Sequence, residues 1–179
     1  YSFFVTYANI DDFDAEKHGD FWEGTIGSPS LASAPPNELD RWIISELNDL
    51  VVHVTRDFEG FSPTSAGRRV QDFVDVLSNW YIRRSRRRFW RSENDADKTW
   101  AYVTLYSCLL TVSRLIAPLT PFLADAIYRN LSPEGAPDSV HLDRFPLADT
   151  ALIDERLEHA IRLAMRISSL GRSARSKGK

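Results

Sequence analysis

Arginine and aromatic side chains dominate one short stretch of the chain. Six arginines fall between residues 83 and 91, with Trp80 and Tyr81 just before them and Phe89 and Trp90 among them, and no acidic residue lies between Asp75 and Glu93. Guanidinium groups donate paired hydrogen bonds to phosphate oxygens and stack on flat rings. Arginines three or four positions apart on a helix repel one another. The stretch therefore predicts a surface for a polyanion, or for carboxylates that another part of the fold supplies.

The helical phase of this stretch indicates where its arginines point. The apolar stripe of the preceding residues continues onto Arg84 and Arg88 at about 100° per residue. We therefore expect the helix to pack in its first half and to carry its cationic end beyond the core. A solvated arginine face is the simpler alternative. The members of the stripe are Val70, Phe73, Val74, Leu77 and Tyr81.

The overall charge limits the kind of polyanion binder that this chain can be. Its 179 residues carry a formal net charge of -3 and a pI near 5.8, which excludes a globally basic nucleic-acid-binding protein. Any contact with a polyanion must come from a local patch. Hydrophobic residues make up 43% of the chain, enough to build a core.

Cysteine content and hydropathy bear on the compartment. The single cysteine, Cys108, cannot form an internal disulfide and lies in an apolar run, so we expect a buried thiol and a cytoplasmic protein. No run of about 18 apolar residues predicts a membrane helix, and no targeting segment is recognisable. Because the first residue is Tyr1 and the opening residues have the pattern of an element interior, we expect a piece of a longer protein.

Two predicted helices position the arginine stretch. The first is capped by Asn37, has apolar residues three and four positions apart, and ends at Gly60. Thr64 or Ser65 caps the second, which is the long helix that carries the arginines. The connection between Gly60 and the second cap is short, which predicts that the two helices pack antiparallel.

Three further helices complete the prediction. A strongly apolar helix covers 100–116, and the next begins at Thr120 and Pro121. Thr150 is the expected cap of the last helix. Its residues that are expected to face inward are Ile153, Leu157, Ile161, Ala164, Ile167 and Leu170.

The remaining segments predict loops within a single all-α domain over residues 1–179. Residues up to about 9 have the composition of a helix tail, and 11–36 form an acidic and Pro/Ser-rich loop or partly disordered insertion. The acids of that loop are an alternative partner for the arginines. A short extended segment is expected near 139–146. The fold class is a helix bundle of about five main helices.

The chain contains no pattern that predicts catalysis or a metal site. Its histidines, at positions 18, 53, 141 and 159, share no ligand spacing with one another or with Cys108. A glycine-rich phosphate loop and a nucleophile elbow are both absent from the sequence. We therefore expect no catalytic residue, no metal and no cofactor in this chain.

Several stretches of the sequence, read in order, resemble isoleucyl-tRNA synthetases. The resemblance covers nearly the whole chain, and the sequence of the arginine run is similar to that of the isoleucyl enzymes in particular. Related valyl and leucyl enzymes share looser forms of the first and third stretches. The stretches are NELDRWIISELN at 37–48, NWYIRRSRRRFW at 79–90, IAPLTPF at 116–122, SVHL at 139–142 with FP at 145–146, and GRSAR at 171–175.

The resemblance implies an anticodon-binding helical bundle. In such an enzyme this part would bind the anticodon stem and loop of isoleucine tRNA beside the catalytic domain of the same chain, while the catalytic domain attaches isoleucine using ATP and magnesium. Most of the arginines would bind phosphates, Trp90 would stack on an unpaired base, and two later arginines would extend the positive track. The candidate tRNA-binding residues are Arg83, Arg84, Arg87, Arg88, Trp90, Arg91, Arg172 and Arg175.

Some residues and functions keep two interpretations. Trp80 and Tyr81 are interpreted as core residues at the middle of the arginine helix. Arg41 and Trp42 would contact RNA or the catalytic domain, or else form a surface ion pair beside a buried ring. The whole bundle could instead belong to a valyl or leucyl enzyme, or serve as a protein-docking module whose arginines are neutralised by carboxylates.

Overall fold

The computed structural model describes residues 1–90 and 95–177. Within these residues the chain folds into α-helices joined by loops and short 3-10 turns, and an isolated bridge pairs Trp22 with Leu31. The predicted all-α bundle is confirmed. The helices are α1 (Ser2–Ile10), α2 (Glu38–Glu59), α3 (Pro63–Val76), α4 (Arg83–Trp90), α5 (Ala96–Ile116), α6 (Pro121–Leu131) and α7 (Glu155–Lys177).

Helix α2 follows the pattern that its sequence predicts. The Asn37 side chain accepts a hydrogen bond from the Leu39 amide at 3.0 Å, and Gly60 follows the last helical residue. Asparagine is favoured at this position because its oxygen satisfies an amide that the helix leaves unpaired. The buried face of α2, which includes Trp42, Ile43 and Leu47, packs against α3 and α5. The predicted bounds are confirmed.

Helices α3 and α4 form one rod with a π-helical segment between them. Val76, Leu77 and Arg83 all keep helical backbone angles, so the backbone stays helical from α3 through Leu77–Ile82 into α4. Ser62 precedes the first turn and Pro63 occupies it, where the missing proline amide costs nothing. The predicted cap at Thr64 or Ser65 is therefore wrong by two or three residues.

Helix α5 is the centre of the bundle. Nearly every residue from Ala101 to Leu115 is buried, and α1, α2, α3, α4 and α6 all contact it. Cys108 lies fully buried here, and burial raises the pKa of its thiol. Proline occupies the first turn of α6 after Thr120, as predicted, although the Thr120 hydroxyl makes no capping hydrogen bond.

The acidic segment 11–36 is a loop that packs against α5. It contains a 3-10 turn at Glu16–Phe21, and the buried Trp22 indole donates to the Ser107 hydroxyl at 2.6 Å. Gly27 has a φ of +75°, and a Cβ there would lie 2.5 Å from a Leu110 methyl carbon. Only glycine fits so close to α5 with this backbone conformation.

The segment near 139–146 is not extended as predicted. Val140–Leu142 form a 3-10 turn, and irregular chain follows as far as residue 149. The Asp125 carboxylate explains the turn, because it accepts hydrogen bonds from the Ser139 hydroxyl at 2.6 Å and from the Val140 amide at 3.1 Å. This long-range contact with α6 has no signature in the local sequence.

Helix α7 begins later than predicted and packs over less of its length. Asp154 caps it by accepting from the Leu157 amide at 2.9 Å, whereas Thr150 starts a separate 3-10 turn. Leu157 and Ile161 pack on the core. The expectation that Ala164, Ile167 and Leu170 face inward is wrong, because all three are exposed, the latter two by 62% and 69%. In the described residues no helix is long and apolar enough to cross a membrane.

Candidate nucleic-acid interface

Four arginines of α4 present their side chains to solvent. Arg83, Arg84, Arg86 and Arg87 are exposed, whereas Ser85, Arg88 and Phe89 are buried. Residues four and seven positions apart lie on one face of an α-helix, so Arg83, Arg87 and Trp90 share a face. The exposed part of α4 is therefore a row of guanidinium groups that ends in an indole.

Arg88 is directed into the bundle, so the expectation that its guanidinium binds phosphate is wrong. Its two Nη atoms donate to the two carboxylate oxygens of Asp40 at 2.7 and 2.6 Å. Its Nη2 also donates to the Asp97 carbonyl at 2.7 Å and lies 2.9 Å from a carboxylate oxygen of Asp97. Arg88 is 6% exposed and Asp40 is fully buried. This arginine therefore joins α4 to α2 and α5.

Electrostatics keep this buried group charged. Burial disfavours a bare guanidinium, but the hydrogen bonds and negative charge of Asp40 more than offset that cost and raise the pKa of Arg88. The Tyr81 hydroxyl also donates to Asp40, at 2.7 Å. Burial, followed by the charge of Asp40, raises the pKa of Tyr81 well above its ordinary value. Arg88, Asp40 and Tyr81 thus form one neutralised polar cluster inside the core.

The π-helical segment explains why Ser85, and not Arg84, continues the buried stripe of the rod. The buried positions of the rod recur every four residues, at Phe73, Leu77, Tyr81, Ser85 and Phe89. An α-helix has 3.6 residues per turn, so a spacing of four would drift around its surface. The wider π turn corrects this drift. Residue 85 then replaces residue 84 on the buried face.

Arg84 stacks on Trp80 and lies near the last helix. Its guanidinium carbon is 3.3 Å from the centre of the Trp80 ring, which is a cation–π contact. Partial burial lowers the pKa of Arg84, and the positive charges of Arg172 and Arg83 lower it further. Arg172 of α7 therefore belongs to the same positive region as the rod.

The other predicted residues divide between surface and core. Tyr81 is buried as predicted, and Trp80 is half-buried beneath Arg84. Arg175 is exposed near the end of α7, with its Nε donating to the Gly171 carbonyl at 3.2 Å. Arg172 is exposed as well, and Trp90 is 57% exposed. The prediction for Arg91 lies outside the described residues.

The structure confirms the buried ring that one alternative placed at the start of α2, while contact of Arg41 with RNA or the catalytic domain stays a prediction. Arg41 is exposed, and it donates to the Pro35 and Pro36 carbonyls at 3.2 and 2.7 Å. Trp42 is fully buried, and its indole donates to Glu46 at 3.1 Å. The two Arg41 hydrogen bonds hold the end of the acidic loop against the start of α2.

Comparison with known proteins decides the family. A family model described as the anticodon-binding domain of tRNA ligase matches residues 40–179. The chain belongs to this anticodon-binding family. The resemblance drawn from the sequence motifs is thereby confirmed, and the exposed arginine row lies within the matched range.

Relatives of this anticodon-binding domain are named isoleucine–tRNA ligases. The Dehalococcoides mccartyi protein (strain 195) is 58% identical over 180 residues, covering 99% of this chain and 17% of its own length. The Cytophaga hutchinsonii protein is 46% identical, covering 98% and 15%, and the Thermus thermophilus protein is 43% identical, covering 99% and 16%. The chain therefore spans about one sixth of the length of these curated relatives.

Asp40 is the important residue of this anticodon-binding domain that the sequence interpretation missed. It lies three positions before Ile43 and seven before Leu47, so it falls on the buried face of α2. A carboxylate in a buried register needs a positive partner. That register was visible in the sequence and identifies Asp40 as the residue that takes one arginine out of the surface row.

Proposed function

We propose that this chain is the tRNA-binding bundle of an isoleucine–tRNA ligase, where it binds the anticodon arm of isoleucine tRNA. The names of the relatives support the choice of amino acid. The whole enzyme would attach isoleucine to tRNA in the cytoplasm, with ATP and magnesium held by its catalytic domain. This chain would contribute affinity and orientation.

The exposed arginine row is the observation that carries the proposal. Arg83, Arg84 and Arg87 are exposed on one short helix, and Arg172 approaches them from α7. Guanidinium groups fork onto phosphate oxygens, and such contacts position an RNA without reading its sequence. Arg175 would extend the row, and Arg91 is proposed as a further phosphate-binding residue.

The buried cluster anchors the helix that carries this row. Arg88 ties α4 to Asp40 of α2 and to Asp97 of α5, so the helix that carries the exposed arginines is held by ion pairs on two neighbours. Because this helix is held rigidly, binding has less conformational entropy to remove. The protein-docking alternative predicted carboxylates against the arginines; Asp40 and Asp97 take that role for Arg88, which faces inward.

Salt dependence of RNA binding tests the proposal. Replacing Arg83 and Arg87 by alanine together should weaken binding of an anticodon stem-loop RNA and reduce the slope of log affinity against log salt by about two, because each arginine would neutralise one phosphate. Arg68→Ala, at an exposed arginine near the other end of the same rod, is the matched control and should change little. An unchanged slope in the double variant would overturn the proposal.

A further inference from the structure

Trp90 is an exposed aromatic residue at the end of the arginine row. Its side chain is 57% exposed, whereas the adjacent Phe89 is 2% exposed and packs in the core. Exposure alone does not set this ring apart, since Phe61 and Phe122 are 93% and 90% exposed, but its position on the arginine-bearing helix does. Because Arg83 and Arg87 share its helix face, any ligand on this ring also lies beside two guanidinium groups.

A hydrogen bond from α1 fixes the orientation of this ring. The Trp90 Nε1 donates to the Tyr7 hydroxyl at 2.6 Å, across 83 positions of sequence. Indole has a single donor, and this contact uses it. The indole is thereby restrained at its edge while more than half of the side chain remains exposed to solvent.

Aromatic contacts anchor Tyr7 in turn. The Tyr7 ring lies 4.8 Å from the Phe3 ring, and Phe3 meets Phe89 edge-to-face at 5.2 Å. Phe89 then meets Tyr102 of α5 edge-to-face at 4.9 Å. Edge-to-face pairs at such distances are favourable beyond the area that they bury. The exposed indole is therefore held by rings that continue into the core.

We propose that Trp90 and Tyr7 form a stacking site for one unpaired nucleobase, in which Trp90 supplies the surface and Tyr7 orients it. This inference rests on the proposed function and adds a base-binding position, with α1 as part of it. Single-stranded RNA is bound by aromatic rings beside positive charge, because every base has a flat face that can stack. A row of arginines that ends in a restrained indole has that composition.

Binding measurements on variants of the chain test the site. The probes are an anticodon stem-loop RNA and the same RNA with abasic loop positions. Trp90→Ala should weaken binding of the first RNA at least about fivefold, the lower limit for losing one stacked base. Tyr7→Phe should weaken it less, and should add nothing in the Trp90→Ala background. With the abasic RNA both effects should disappear.

Two controls separate orientation of the ring from general stability. Trp90→Phe keeps a flat ring and should restore most of the affinity lost in Trp90→Ala, and Tyr7→Phe should then have no effect, because phenylalanine has no donor. Tyr1→Phe removes a hydroxyl at the exposed start of the same region and should leave binding unchanged. Thermal melts establish that each variant is folded.

The results distinguish this site from the proposed function. If the Arg83 and Arg87 double variant weakens binding while Trp90→Ala does not, the stacking site is wrong and the phosphate contacts remain. If Trp90→Ala weakens the intact and the abasic RNA equally, the ring contacts something other than a base and the inference is overturned. If neither variant weakens RNA binding, both the stacking site and the proposed function are wrong.

Discussion

Arg88 and Asp40 show how one buried pair determines which arginine side chains of α4 face the solvent. A charged group inside a protein is tolerated when it is paired and hydrogen-bonded, and removing one partner leaves an uncompensated charge. Asp40 accepts from Arg88 through both oxygens and from Tyr81 as well. The pair holds α4 in the orientation that exposes Arg84 and Arg87.

The first prediction concerns this pair. Asp40→Asn should lower the free energy of unfolding by about 3–5 kcal/mol, because the buried guanidinium loses its main counter-charge. Replacing both partners together, Asp40→Leu with Arg88→Met, should cost much less. Urea denaturation measures both variants. A loss below about 1 kcal/mol for Asp40→Asn would contradict the role assigned to the pair.

Glu158 gives a second prediction, which concerns pH. Burial raises its pKa, as do the nearby charges of Glu46 and Asp49, although Ser45 donates to it at 2.6 Å and Arg162 at 3.1 Å. Because the folded pKa lies above the unfolded one, the ionised carboxylate opposes folding once the pH exceeds the unfolded value. Stability due to this group is therefore highest at low pH and falls as the pH rises through its folded pKa.

The measurement compares unfolding free energies of the wild type and Glu158→Gln between pH 4 and pH 7. We expect Glu158→Gln to gain stability relative to the wild type as the pH rises, since glutamine does not ionise. A difference that is constant with pH would show that the folded pKa of Glu158 is not raised. Glu155→Gln, at an exposed position one turn earlier, is the control and should show no such trend.

At the scale of elements, the two ends of α2 and the start of α6 were predictable, whereas the starts of α3 and α7 and the buried positions of α4 were not. Asn37, Gly60 and Pro121 mark helix ends through their own backbone preferences, so the sequence alone located α2 and the start of α6. The π-helical segment Leu77–Ile82 depends on packing against neighbouring helices. A pattern that assumes 3.6 residues per turn therefore assigns the wrong residues after this segment to the buried face. That is why the sequence pattern continued the apolar stripe onto Arg84, although Ser85 takes that place on the buried face.

Helix α7 shows a second limit of sequence patterns. Its apolar spacing continues through Leu163, Ile167 and Leu170, yet these residues are 50%, 62% and 69% exposed. Amphipathic spacing predicts a face that can be buried, but it does not say whether the described chain supplies the neighbour. Along α7, packing against the rest of the described chain ends near Met165, which still contacts the core.

The third prediction uses this partial packing. Ending the chain after Ser168 removes residues that are exposed from 169 to 176, so the free energy of unfolding should change by less than about 1 kcal/mol. The same truncation removes Arg172 and Arg175, and it should weaken RNA binding and reduce its salt slope. Alanine at both arginines in the full chain should reproduce the binding change. A large loss of stability would show that the end of α7 supports the fold.

At the scale of the whole molecule, charge is separated between surfaces. The chain is acidic overall, with a net charge of -3, while its arginine row and the end of α7 are positive. A local positive surface on an acidic body attracts RNA in one orientation and repels it elsewhere. Long-range attraction of this kind weakens as salt shortens the screening length. The molecule is therefore suited to orienting an RNA stem against α4.

The last prediction follows from this division between phosphate and base contacts. In the proposed complex the arginine row would contact atoms that every RNA shares, and Trp90 would stack on any base, so the chain by itself should discriminate weakly between anticodon arms. In competition experiments at low salt, an isoleucine anticodon arm and an arm of equal length from another tRNA should bind within about tenfold of each other, because neither phosphate contact nor stacking reads the edge of a base. Discrimination of about a hundredfold or more would show that side chains of this bundle also form hydrogen bonds with particular anticodon bases.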